Sequence, residues 1–124
     1  MTLDSELLRR QDWIEAALEY SCRTHDFGDV VDAVRAGNMQ FWPAERGCIV
    51  TEIIAFPKKK VLHCFLIGGE LDQILEMEDS LIHWAKQQEC ETITGAGRQG
   101  WRRVMKSRGW KDAYSVVSKE LRDE

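Results

Sequence analysis

Residues 61–74 read VLHCFLIGGELDQI, which is an apolar strand, two glycines and the start of a helix in direct succession. A strand–glycine–helix junction is a common place for a phosphate, because free backbone N–H groups and the helix dipole point at it. Here Glu70 and Asp72 stand in the first turn of the helix. We expect these carboxylates to satisfy the helix start themselves and to repel an anion. The stretch therefore predicts a backbone of the kind that binds anions, with two negatively charged side chains that disfavour an anion there.

The spacing of apolar residues on either side of this stretch predicts nine elements in a single domain of residues 1–124. They are helices 5–22 and 28–36, strands 39–43, 48–56 and 61–67, helix 71–88, strand 90–94, helix 99–107 and strand 110–121. This order, α-α-β-β-β-α-β-α-β, indicates an α/β protein (α+β with a mixed sheet). We expect strands 48–56 and 61–67 to form a hairpin. Strands 61–67 and 90–94 should pair in parallel across a helical crossover.

The composition favours an ordinary folded protein and gives no sign of a membrane or a metal. The chain has 124 residues, 44% of them hydrophobic, and a net charge of −4. No apolar stretch reaches the roughly 20 residues that span a bilayer, and the N-terminus lacks the pattern of a secretory signal. The three histidines do not form a ligand spacing, and the four cysteines lack the close pairs of a zinc site. We expect buried free thiols and a reducing compartment.

Five sequence motifs, taken with the element order, resemble a known fold. The motifs are FWP at 41–43, IVTEI at 49–53, the proline-lysine turn PKKK at 57–60, FLIGGELDQI at 65–74 and GRQGWRRVMKSRGW at 97–110. The order over residues 27–121 is similar to the GNAT fold of the acyl-CoA N-acyltransferases, with its usual first strand missing or merged into the N-terminus. More narrowly, the motifs resemble small GNAT-like proteins that tailed bacteriophages and prophages encode among their head and tail morphogenesis genes.

The resemblance implies a coenzyme A loop, and this chain departs from it. The family loop reads Gln or Arg, two residues, Gly, one residue, then Gly or Ala. The matching stretch here has no Gln or Arg in the lead position, carries its glycines too early and holds two carboxylates. That stretch is Gly68, Gly69, Glu70, Leu71, Asp72 and Gln73. The loop is degenerate, so we expect no bound cofactor.

The catalytic groups that the resemblance implies are also poorly matched. The family often uses a tyrosine on the penultimate helix as an acid, and here Tyr114 falls on the last predicted strand instead. Glu52 within IVTEI is the candidate general base. The competing interpretation is that Glu52 is paired with Arg98 or Arg102 across the sheet, since buried carboxylates are commonly paired.

Charge and tryptophan patterns suggest surfaces for binding. Residues 98–111 carry six basic side chains and no acid, while residues 70–79 carry five acids and no base. These segments could dock onto each other or onto neighbouring subunits, or could form solvated helix faces, and nucleic acid is the weaker explanation. Edge tryptophans either make protein contacts or cap the sheet. The predicted interaction residues are Trp42, Trp101, Arg102, Arg103 and Trp110.

Together these features predict a non-catalytic GNAT-like phage protein that acts by protein–protein contacts in virion assembly or structure. The expected partners are other phage virion proteins, with self-association left open, and neither nucleic acid nor a membrane. The expected location is the host cytoplasm during assembly, with the virion as a further location. The alternative is an acetyl-CoA-dependent N-acetyltransferase with a divergent loop, in which Glu52 is the base and Tyr114 the acid.

Overall fold

The computed structural model describes residues 2–96 and 99–122, which form helices on both faces of one sheet. The helices are α1 Leu3–Arg9, α2 Gln11–Leu18, α3 Phe27–Arg35, α4 Leu71–Glu76, α5 Glu78–Gln87 and α6 Gln99–Lys106. The strands are β1 Gln40–Ala44, β2 Gly47–Ala55, β3 Lys60–Gly69 and β4 Thr92–Gly95. The mixed class and the predicted order of the first eight elements are confirmed, with two of the predicted helices each divided in two.

The sheet has the order β1-β2-β3-β4. The predicted hairpin is confirmed, because β2 and β3 pair antiparallel. The predicted parallel pair is confirmed as well, since β3 and β4 run together from the Val61–Thr92 pair to the Cys64–Gly95 pair. Within the hairpin the partner of β2 moves from Leu66 to Cys64, which leaves Phe65 as a bulge.

Alternation along the strands sends side chains into two apolar clusters, one on each face of the sheet. Cys48 and Val50 of β2 join the cluster under α1–α3, whereas Ile49 joins the cluster under α4–α6. Cys48 and Cys64 are buried free thiols, as predicted, and burial raises the pKa of each to about 12. Cys22 is exposed, so the prediction of burial is wrong for it.

The predicted helix 5–22 is divided at Arg10. The Arg10 side chain is only 5% exposed, and its Nε and Nη2 atoms donate to the Ala44 carbonyl at 2.9 and 2.6 Å. A buried guanidinium requires hydrogen-bond acceptors. Arg10 reaches the Ala44 carbonyl from a bend in the chain, where its φ and ψ are −111° and 12°. Within α1, Leu7 is buried in the core, whereas Leu8 on the neighbouring helical position is exposed.

The last predicted strand, residues 110–121, is wrong. Within residues 110–122 the structure has no strand, and the side chains from Lys111 to Arg122 are exposed. Alternation was the signal for this strand, but a strand exists only where a neighbour supplies hydrogen-bond partners. The helix before it does end as predicted, with Gly109 in the left-handed region at φ 93°. Among the described residues, no helix combines the length and the apolar character needed to cross a membrane.

Candidate functional site

The glycines at the end of β3 accommodate other parts of this chain. A Cβ on Gly68 would lie 2.8 Å from the carbonyl oxygen of Trp13 in α2. A Cβ on Gly69, whose φ is 105°, would lie 2.3 Å from the Cα of Gly47 and 2.4 Å from the carbonyl oxygen of Arg46. Real Cβ atoms do not approach other atoms this closely. Both glycines are therefore required because backbone from α2 and from the β1–β2 turn packs against them.

The carboxylates at the start of α4 are paired with an arginine that the sequence pattern did not reveal. Arg46 lies in the β1–β2 turn, with its Nε 2.7 Å from Glu70 Oε2 and its Nη2 3.7 Å from Asp72 Oδ2. The expectation that these acids satisfy the helix start is wrong for Glu70, which is the N-cap residue but makes no side-chain capping hydrogen bond. One cation facing two anions leaves this corner with a net negative charge.

The main chain of Arg46 also binds the junction. Its carbonyl accepts the Glu70 N–H at 2.9 Å, and its N–H donates to Gln73 Oε1 at 3.1 Å. One N–H that a phosphate would need is thus already used within the protein. The junction therefore offers a pyrophosphate one N–H donor fewer, next to the carboxylates of Glu70 and Asp72.

A polar row crosses the sheet on the face that α1–α3 cover. Glu52 of β2 is the register partner of His63 in β3, and His63 is the register partner of Thr94 in β4. His63 Nδ1 and Thr94 Oγ1 are hydrogen-bonded at 2.8 Å. Burial lowers the pKa of His63, and the nearby Glu52 carboxylate opposes that shift. The imidazole is therefore neutral at pH 7.

The two predicted catalytic candidates are not brought together. Glu52 shares a face of β2 with Val50, under α1–α3. Tyr114 is 79% exposed and follows α6, which packs on the opposite face through Trp101. The predicted pairing of Glu52 with Arg102 is wrong, because Arg102 binds Asp112, and Arg98 lies outside the described residues.

The basic segment is partly neutralised by acids of the same chain. Arg102 Nε and Nη2 contact the Asp112 carboxylate at 3.0 and 2.8 Å, and Lys106 Nζ contacts it at 3.0 Å. Hydrogen bonds from Arg102 and then from Lys106 lower the pKa of Asp112 to about 2. Arg108 binds Glu78 at 2.8 Å, so the acidic and basic segments do touch through this ion pair. Arg103 is exposed.

The tryptophans chosen as interaction residues are all half-buried. The indole N–H of Trp42 donates to the buried Thr51 hydroxyl at 3.0 Å, and its ring meets Trp84 edge-on at 5.6 Å between centroids. Trp101 packs in the cluster under α4–α6. The Trp110 ring reaches 3.9 Å from the Cβ position of Gly95 at the end of β4. Each ring therefore contacts its own domain, and the exposed part is what remains for a partner.

A groove of about 340 Å³ lies between α1 and α3, where an ion pair joins Asp4 to Arg35. Among residues 2–96 and 99–122, no group of three or more His, Cys, Asp or Glu side chains could hold a metal ion.

Two helical layers around a mixed sheet, with β3 and β4 as its parallel pair, form a GNAT-like fold. The chain is similar in structure to an acetyltransferase from Trypanosoma brucei, with a TM-score of 0.60 and 10% sequence identity. The match covers 90% of this chain and 94% of that chain. At this identity the likeness shows the fold alone. No family model and no curated protein sequence matches the chain.

Proposed function

We propose that this chain is a GNAT-like domain that does not catalyse acyl transfer from coenzyme A and that acts through protein–protein contacts. The observation that carries the proposal is the filled β3–α4 junction. In that junction Gly68 faces the backbone of Trp13, Gly69 faces Gly47, and Arg46 binds the first residues of α4.

Electrostatics supports the same conclusion. The phosphates of coenzyme A are strongly anionic, and Glu70 and Asp72 are both more than half exposed at the junction. Each carboxylate opposes an anion there by about 1 kcal/mol or more at contact range, and Arg46 offsets only one of the two charges. The ligand would also have to displace the Arg46 carbonyl from the Glu70 N–H.

The proposed setting is the assembly or structure of a bacteriophage virion. It is supported by the resemblance of the FWP, IVTEI and GRQGWRRVMKSRGW motifs to small GNAT-like phage proteins. We place the protein in the host cytoplasm during assembly and extend the proposal to the virion itself. The proposed partners are other virion proteins, reached through exposed parts of α6 and its neighbouring tryptophans.

Nucleic acid is a poor partner for α6 because two of its basic side chains share Asp112. The charge-reversed variant Arg103→Glu tests this point, since Arg103 is exposed and lies beside Arg102 on α6. We expect no salt-dependent binding of duplex DNA. If duplex DNA binds with a salt-dependent affinity and Arg103→Glu abolishes that binding, then α6 contacts DNA and the proposal that it contacts a protein is wrong.

The decisive experiment is a calorimetric titration of the full chain with acetyl-CoA at low salt, beside an active acetyltransferase of the same fold. We expect no heat with this chain at millimolar ligand. Micromolar binding would overturn the proposal and restore the N-acetyltransferase alternative, with Glu52→Gln as the next variant to assay for activity.

A double variant, Glu70→Gln with Asp72→Asn, separates charge from packing. If the filled glycines are the main obstacle, removing the two charges still gives no binding. If the double variant binds acetyl-CoA, charge alone blocks the junction, and the packing against Gly68 and Gly69 does not.

A further inference from the structure

The segment after α6 carries an exposed strand pattern. We name residues 113–121 the tail. Its apolar side chains are largely in solvent, at 79% exposed for Tyr114, 71% for Val116, 95% for Val117 and 89% for Leu121. A contiguous apolar surface exposed in this way is a candidate contact surface. Residues 113–118 read AYSVVS and carry no charge, whereas Lys119 and Glu120 follow them.

The sheet offers a matching open edge. Among the described residues, β1 and β4 are the edge strands. β1 is protected, because it contains Pro43 and its Ala44 carbonyl is occupied by Arg10. β4, Thr92–Gly95, reads TITG and has neither a proline nor a charged residue. It pairs with β3 on one side, so its other side presents backbone N–H and C=O groups.

The tail does not reach this edge within its own copy. Asp112, the residue just before the tail, is held on α6 by Arg102 and Lys106. α6 lies over a face of the sheet, where Trp101 packs into the cluster. The tail therefore leaves from the helical layer and projects into solvent.

We propose that residues 113–117 of one copy pair as an added strand with the outer edge of β4 in a second copy, and that the exchange is reciprocal. Strand addition to an open edge supplies main-chain hydrogen bonds and pockets for alternate side chains. A reciprocal exchange gives a closed two-fold dimer. Both segments are uncharged, so the net charge of −4 does not oppose the pairing locally. This inference rests on the proposed function in that it names one of its contact surfaces and one partner.

The test uses two proline variants of the full chain, Ser115→Pro and Val116→Pro. Successive N–H groups of a strand point to opposite sides, so one of the two prolines must remove a ladder hydrogen bond. The matched control is Lys119→Pro, which lies in the same exposed tail beyond the paired residues. All three positions are exposed, so the domain itself should fold normally.

We measure mass by light scattering through a dilution series, and amide exchange of residues 113–117. The expected result is a dimer whose tail amides lose protection on dilution. One of the two tail prolines should weaken dimerisation about tenfold or more, while Lys119→Pro leaves it unchanged. A monomer at every concentration overturns the inference, whether its tail amides are protected by pairing within one copy or not. A dimer that tolerates both tail prolines also overturns it.

Titration of the same samples with acetyl-CoA keeps the two proposals separate. A monomer that binds no acetyl-CoA leaves the proposed function standing and removes the tail as its surface. A dimer that binds acetyl-CoA retains the tail exchange and removes the proposed function.

Discussion

Substitution Gly68→Ala tests whether the β3–α4 junction is filled by the chain itself. The new methyl group would lie 2.8 Å from the Trp13 carbonyl oxygen and 3.1 Å from the Trp13 Cβ, whereas ordinary contact begins at 3.4 Å. The nearest atom belongs to the backbone in the first turn of α2, so the helix must move by about half an ångström. Overpacking of this kind costs about 1–3 kcal/mol, and the entropy that alanine removes from the unfolded chain offsets about 0.4–1 kcal/mol.

We therefore expect the free energy of unfolding to fall by about 1–2 kcal/mol, which lowers the urea midpoint by roughly 0.5–1 M. The matched control is Gly100→Ala in α6, where an added Cβ meets no atom within 4 Å. It should raise the free energy of unfolding by about 0.5–1 kcal/mol through helix propensity and chain entropy. If Gly68→Ala is neutral or stabilising while the control behaves as expected, α2 does not fill the space beside β3. Packing at Gly68 would then not exclude a cofactor from this junction.

An ion pair, a buried histidine and two buried thiols give three further predictions. Arg46→Gln should change the free energy of unfolding by no more than about 1 kcal/mol in urea denaturation, because its ion pairs are half exposed; a loss of several kcal/mol would contradict this. Burial lowers the pKa of His63 from its ordinary value of 6.5, so the unfolded chain binds this proton more readily than the folded one. The free energy of unfolding should therefore be unaffected by His63 above pH 6.5 and should fall as the pH drops from 6.5 through the folded-state pKa. Urea midpoints at pH 7.5 and 5 should therefore differ more for the wild type than for His63→Gln, and equal differences would refute the assignment. With a thiol reagent at pH 8, exposed Cys22 should react at once, whereas Cys48 and Cys64 should react only on unfolding; early labelling of either would show that its strand opens.

Local pattern predicted the elements whose side chains face a core. The β2–β3 hairpin and the β3–β4 parallel pair were predictable because turn residues bound these runs of β-branched and apolar residues, and because the segment between β3 and β4 is long enough for a helical crossover. The tail alternates as well as a true strand, but alternation does not specify a partner, and the structure leaves residues 111–122 exposed. The division at Arg10 was equally hidden, because the Ala44 carbonyl that holds its guanidinium lies 34 positions along the chain.

The candidate site shows the same division between local and distant information. The sequence predicted a strand–glycine–helix junction with two carboxylates, because each of these properties belongs to neighbouring residues. It gave no sign that Arg46 pairs with Glu70 and Asp72, or that the Trp13 backbone lies against Gly68.

By itself, then, the sequence determined the mixed fold class, the hairpin, the crossover and the charge at the start of α4. These properties depend on the spacing of apolar residues and on residue type, both of which can be read from a short segment of the sequence. Only the tertiary structure decided what fills the junction, which acids and bases pair, and that the tail has no strand neighbour in its own copy. Each of those outcomes requires atoms that are distant in sequence to meet in space, and backbone packing at a glycine depends on distances that residue identity does not encode.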